Sequence, residues 1–201
     1  QYLRNLKVDK GRDGCRVPLP WTKAGTSFGF GTAGAHLPQP KNFGEYSIEV
    51  DPREIELSML DTLKEAGFNR VSIGVQDFNK DVQVAVNREQ DEQFIFDFIA
   101  RAKALGFVST NVDLIYGLPL QTPETFAQTI ARIIELSPDR LSVFNYAHLP
   151  SRFAAQRKIK DADMPSPQQK LDMLHQTIES LTGATYGLFF FPKRKYPKII
   201  G

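Results

Sequence analysis

Polar side chains able to hold a ligand recur at the far ends of four β-prone stretches. Glu49 closes YSIEV (46–50), and Gln76 and Asp77 follow RVSIGV (70–75). Asp113 lies in STNVDLIYG (109–117), just before a Gly-Leu-Pro exit, and Asn145, Tyr146 and His148 end RLSVFNYA (140–147) or follow it. A carboxylate among Val112, Leu114 and Ile115 is costly to bury unless something binds it. Carboxylates accept paired hydroxyl hydrogens, and an amide both donates and accepts. The set therefore suits a hydroxyl-rich or zwitterionic ligand. One polar residue at a strand end is ordinarily a loop anchor or a helix cap; four strands doing this together point to a site.

The elements that must place these groups alternate. A helical pattern carries Leu57, Leu60 and Leu63 and stops at Gly67. Residues 93–107 form a second helix, with Phe94, Phe98 and Leu105 toward the core and Gly106 at its end. Thr122-Pro123-Glu124 opens a third, with Thr as N-cap, Pro at the first helical position and an acid in the first turn. It carries Phe126, Ile130 and Ile133 and stops before Ser137-Pro138. Ser166-Pro167-Gln168-Gln169 caps a fourth, which carries Leu171, Leu174 and Ile178. Strands alternating with helices imply parallel pairing. The strands read as mixed or apolar on both faces, as in a sheet covered by helices. The class is α/β: most of a (β/α) barrel, or part of a doubly wound sheet. In both, ligands bind beyond the carboxyl ends of the strands.

Composition narrows the function. The chain has 201 residues, 41% hydrophobic and 24% charged, with a formal net charge of +2. That balance gives no reason to expect nucleic acid or a membrane surface as partner, and no apolar run is long enough to span a bilayer. Cys15 is the single cysteine, which excludes a disulfide framework within the chain and suits a reducing, cytoplasmic setting. GFGTAG (29–34) fits the spacing of a dinucleotide loop, but Pro38 and Pro40 oppose the helix that must follow it. RFAAQRKIK (152–160) clusters Arg152, Arg157, Lys158 and Lys160, which reads as a solvated helical face before it reads as a carboxylate site. His36, His148 and His175 lack metal-ligand spacing, and there is no nucleophile elbow or Walker loop.

Longer words carry a resemblance. SIEVDPREIE, GVQDFNKDVQVAVNREQDEQFI, NVDLIYGLPLQTPETF and DRLSVFNYAHLPSRFAAQRKIKDADMPSPQQKLDML resemble the bacterial oxygen-independent coproporphyrinogen III oxidases, radical S-adenosylmethionine (SAM) enzymes of haem biosynthesis. The likeness runs from about Glu45 to Thr182. It implies a partial (β/α) barrel, incomplete in this chain. It also implies a [4Fe–4S] cluster on Cys-x3-Cys-x2-Cys that reduces SAM to a radical. The radical takes a hydrogen from a propionate of coproporphyrinogen III, and loss of CO2 leaves a vinyl group. The partners implied are that porphyrinogen and an electron donor, around a monomeric protein. By the same resemblance the SAM contacts are Glu49, Gln76, Arg88, Asp113 and Ala147. Glu49 and Asp113 take ribose hydroxyls or the amino group, Arg88 takes the methionyl carboxylate, Gln76 hydrogen-bonds, and Ala147 lies near adenine. Arg88 and Ala147 come from the resemblance alone.

The chain also departs from the family pattern. One cysteine cannot hold a cluster that needs three thiolates. Where the family has Gly-Gly-Gly-Thr-Pro, AGAHLP (33–38) stands instead. Codons GGC GGG GGC ACA CCT ACC T encode Gly-Gly-Gly-Thr-Pro-Thr; read one base later they encode that hexapeptide. The expectation is therefore an irregular, out-of-frame segment over 1–44, a barrel core over 45–183 and a non-matching tail over 184–201. An open sheet edge and an uncovered apolar face are expected to make the chain poorly soluble and catalytically silent. The alternative from a different class is a non-catalytic SAM- or tetrapyrrole-binding remnant.

Overall fold

Aliphatic residues at every second position build the strands of the computed structural model, which describes residues 46–184. The expectations for residues 1–44 and for the tail from 185 onward, with Cys15 and His36, lie outside the described residues. The described residues belong to one compact unit. The described order is β1 (Ser47–Val50), α1 (Met59–Glu65), β2 (Arg70–Gln76), α2 (Lys80–Ala85), α3 (Glu92–Ala104), β3 (Ser109–Tyr116), α4 (Pro123–Leu136) and β4 (Arg140–Asn145). Two 3-10 turns (Ala154–Lys158 and Asp161–Asp163) and α5 (Pro167–Gly183) complete it. The four strands form one all-parallel sheet in the order β1-β2-β3-β4.

Alternation gives the sheet two unlike faces. Val50, Val71, Ile73, Val75, Val112 and Leu114 enter a single apolar core with Leu60 and Leu63 of α1, Phe98 and Ile99 of α3, Phe126 and Ile130 of α4 and Met173 of α5. The other face carries Glu49, Ser72, Gly74, Asn111, Asp113 and Ser142. They are neighbours by register: Glu49 beside Ser72, Ser72 beside Asn111, Gly74 beside Asp113, Asp113 beside Ser142. One core on one face is the arc of a (β/α) barrel and not a doubly wound sheet. It also corrects the reading of strands apolar on both faces. Among the described residues the face turned from the helices is largely polar and not the uncovered apolar face expected, although Phe144 on β4 is 55% exposed.

The local signals for the later helices hold. Thr122 Oγ1 accepts from the Thr125 amide at 3.2 Å, and Thr125 Oγ1 accepts from the Thr122 amide at 2.9 Å. Ser166 and Gln169 form the same reciprocal box at 3.2 and 2.8 Å. α2, which the sequence reading passes over, starts at Asn79, whose side chain accepts from the amides of Asp81 and Val82. RFAAQRKIK forms a 3-10 turn, not an α-helical face. Among the described residues no helix is long and apolar enough to cross a membrane.

Candidate functional site

Asp113 sits on the polar face because its neighbours Val112 and Leu114 point into the core. Its carboxylate accepts from Ser72 Oγ at 3.1 Å and from Asn111 Nδ2 at 2.7 Å. Asn111 also donates to Ser72 Oγ at 2.8 Å and Ser142 Oγ at 3.2 Å. Ser72 and Asn111 therefore hold the acid from the N-terminal direction, and Ser142 of β4 steadies Asn111. These donors leave carboxylate lone pairs for a ligand. Ser72, Asn111 and Ser142 escaped the sequence reading, yet the two-residue step from Ser72 to Gly74 and from Asn111 to Asp113 encodes them.

Beyond Asp113 the pairing of β2 with β3 turns irregular, while β3 and β4 stay paired as far as Tyr116 and Asn145. The β2–β3 register shifts between Gly74 and Gln76, and Gln76 has φ of 65°. A non-glycine residue in this left-handed region carries strain of order 1–3 kcal/mol. The irregularity lays the Gln76 amide back over Gly74, the kind of re-aiming that bulges produce beside sites. A Cβ on Gly74 would lie 2.8 Å from Gln76 Nε2 and 3.0 Å from Arg88 Nη2. Glycine is thus what lets both side chains lie on the strand.

Arg88 follows α2 and reaches the face from outside the sheet. Its Nη2 donates to the Gly74 carbonyl at 3.2 Å, and its Nη1 lies 3.3 Å from Asp51 Oδ2. Asp51 also binds Arg53, through Nε at 3.0 Å and Nη2 at 2.7 Å, and the Arg53 side chain holds the Asp51 carboxyl down at about 2. Arg88 Nε and Gln76 Oε1 are buried, and neither has a hydrogen-bond partner. A buried donor and a buried acceptor left unmatched in one place are unusual and point to a ligand carrying both an acid and a donor group.

The structure sorts the sequence-derived candidates. Gln76 and Arg88 meet above Gly74, with Asp113 beside it in register, and Glu49 is exposed on the same face next to Ser72. Ala147, exposed past the end of β4, accepts from Gln156 Nε2 at 3.1 Å through its carbonyl. Asp77 does not belong to the rim. It is 1% exposed and turned into the helix layer. His148 pairs with Asp161 at 3.2 Å, and Tyr146 donates its amide to the Tyr116 carbonyl at 2.8 Å. His175 is exposed on α5. Among the described residues no three His, Cys, Asp or Glu side chains are placed to hold a metal ion.

The radical SAM superfamily model matches residues 35–133. Over 142 residues the chain is 71% identical to the oxygen-independent coproporphyrinogen III oxidase of Salmonella typhimurium, spanning 71% of this chain and 31% of that protein. The enzyme of the same name from Pseudomonas aeruginosa is 56% identical over 143 residues, again 71% and 31%. The solved coproporphyrinogen III oxidase of Escherichia coli, described as a radical SAM enzyme, superposes with a TM-score of 0.69 at 71% identity, covering 70% of this chain and 32% of that one. The archaeal Elp3 of Methanocaldococcus infernus, 13% identical with a TM-score of 0.53 over 66% of this chain and 32% of that one, shares the fold alone. The chain thus spans about a third of the length of the relatives it matches.

Proposed function

We propose, from the premise that the described residues form a partial radical SAM fold similar to part of the oxygen-independent coproporphyrinogen III oxidases, that the polar face binds SAM. The observation that carries this is that Arg88 and Gln76 meet over Gly74, beside Asp113, each with a buried atom, Nε and Oε1, that has no partner. SAM brings the complementary groups on one molecule. Arg88 takes the methionyl carboxylate, for which a guanidinium fork is well shaped. Gln76 accepts from an N–H or O–H. Glu49 and Asp113 take the ribose hydroxyls or the amino group, and Ala147 contributes backbone and packing near adenine.

The whole-protein activity that goes with this face is oxidative decarboxylation of coproporphyrinogen III to protoporphyrinogen IX, with an electron donor, in a reducing cytoplasmic setting. SAM held against a reduced [4Fe–4S] cluster supplies the hydrogen-abstracting radical for such chemistry. The described residues fit SAM and do not fit the cluster: they contain no cysteine, and the sequence has Cys15 alone. The chain by itself therefore binds without turnover. Calorimetric titration with SAM tests the first half, and anaerobic reconstitution with iron and sulfide followed by assay for 5′-deoxyadenosine tests the second. Binding with no cleavage is expected. No binding defeats the reading of the face, and cleavage defeats the assignment of the chain as silent.

Gly74→Ala probes the same geometry. The new methyl group displaces Arg88 and Gln76, whose contacting atoms are the far ends of flexible side chains. SAM affinity is expected to fall with little change in the melting temperature, because the displaced groups lie on the polar face and not in the core. Unchanged affinity would show that the two side chains are not the recognition pair.

A further inference from the structure

Arg88 lies on no strand, so something else must fix where its guanidinium points. Two contacts do so, the Gly74 carbonyl at 3.2 Å and Asp51 at 3.3 Å. Asp51 is the more elaborate. It stands two residues past Glu49, at the exit from β1, and its carboxylate is gripped on both oxygens by Arg53. Its Oδ1 also accepts the Arg53 amide at 3.1 Å. Arg53 in turn donates from Nη1 to the Asn87 carbonyl at 3.2 Å, one residue before Arg88. Asn87 has φ of 53°, so the backbone there is held in an uncommon conformation. Asp51 and Arg53 thus hold Arg88 twice, once by its own side chain and once by the residue that launches it.

We propose that Asp51, braced by Arg53, is a positioning residue for SAM. It holds Arg88 on one edge so that the remaining donors face the methionyl carboxylate. This rests on the reading of the face as a SAM site. Geometry favours placement over competition. Both Asp51 oxygens accept from Arg53, at 3.0 and 2.7 Å, and Oδ2 lies 3.3 Å from Arg88 Nη1, so the carboxylate engages Arg88 at Nη1 and leaves its Nε for the ligand. A long side chain fixed beforehand loses less freedom when ligand arrives, which raises affinity without a new contact. If Asp51 acted only as a like charge beside the ligand, removing it would strengthen binding. Placement predicts the reverse.

The test compares SAM with its decarboxylated analogue, which keeps the sulfonium, ribose, adenine and amine but offers Arg88 no carboxylate. In Asp51→Asn, affinity for SAM is expected to fall about tenfold, the scale of one unfixed side chain. Affinity for the analogue should stay within about twofold of the unmodified chain. Arg53→Ala should move both in the same direction by less, and Asp51→Glu should recover part of the loss. The Arg88 Nε–H resonance adds a readout in the ligand-free chain: narrow in the unmodified protein, broadened in Asp51→Asn. Equal loss for both ligands would mark Asp51 as merely structural, and unchanged or stronger SAM binding, or an unchanged Arg88 signal, would also overturn the proposal. If the unmodified chain binds the analogue as well as SAM, Arg88 does not read the carboxylate and the proposal falls while the SAM site stands. If it binds neither, both readings fall.

Discussion

Arg88→Ala is expected to weaken SAM binding by about thirty- to a hundredfold, since hydrogen bonds to charged groups contribute about 1.5–3 kcal/mol each and tenfold corresponds to about 1.4 kcal/mol. Stability should hardly move. The Arg88 guanidinium contacts one carboxylate, already bound by Arg53, and one carbonyl at the margin of the sheet. Losing it leaves no buried charge unpaired. Arg88→Lys should recover only part of the affinity, because an ammonium keeps the charge and loses the planar fork. The same experiment at Asp113 is less clean. Removing that carboxylate frees Ser72 and Asn111 on neighbouring strands to rearrange, so a loss of binding would mix contact with placement. Titration of Arg88→Ala with SAM, beside a thermal melt, decides the matter. Binding equal to that of the unmodified chain would remove Arg88 from the site.

What could be read in advance follows the range of the interactions. Helix caps are local: Thr122 with Thr125 and Ser166 with Gln169 bond within one turn, so they were legible as words. The places of Glu49 and Gln76 were legible because a strand end is itself a local pattern, and that of Asp113 because a carboxylate within an aliphatic run stands out. Arg88 was not. It follows a six-residue helix in which Val82 and Val84 are poor helix formers and Asn79 is the only strong signal. Its relation to Gly74 and Asp51 exists only once β1 and β2 pair. Asp77 was misassigned for a related reason. Adjacent residues at a strand end face opposite sides, and the left-handed Gln76 backbone decides which of the two faces the site. The polar face itself was within reach through the two-residue alternation. The aliphatic residues between its members hid it, because they made both faces look like core.

Asp77→Ala should destabilise the fold more than any change at the site, by about 3 kcal/mol, since each buried donor left unmatched costs about 1–3 kcal/mol. Its Oδ1 accepts from the Asn79 amide at 2.8 Å and from Thr129 Oγ1 at 2.5 Å, and its Oδ2 accepts from Gln121 Nε2. Burial pushes the carboxyl pKa up, against the pull of those donors. A raised folded pKa means that this group's contribution is fully present below the ordinary carboxylate pKa and is lost as pH rises through the folded value. The ionised form is therefore a cost that the three donors offset. Asp77→Asn should fall between the two, at about 1–2 kcal/mol. It can keep the bonds at Oδ1 but turns an amide N–H toward Gln121. Gln121 cannot flip to suit, because its Oε1 accepts from the Leu118 amide at 2.8 Å and its Nε2 donates to the Ile115 carbonyl at 2.9 Å. Urea denaturation over a pH series measures both quantities. The Asn variant should lose the component of stability that declines with rising pH, and an unaltered pH slope would mean that Asp77 does not titrate as its burial requires. The consequence reaches the ligand as well. The carboxylate ties the end of β2 to the turn after β3, and the Asp77 carbonyl accepts from Gln83 at 2.9 Å and Gln90 at 3.3 Å, on either side of Arg88. SAM affinity in Asp77→Ala should therefore drop even at temperatures where the chain remains folded, and a variant that melts early yet binds normally would show that the face is placed by the sheet alone.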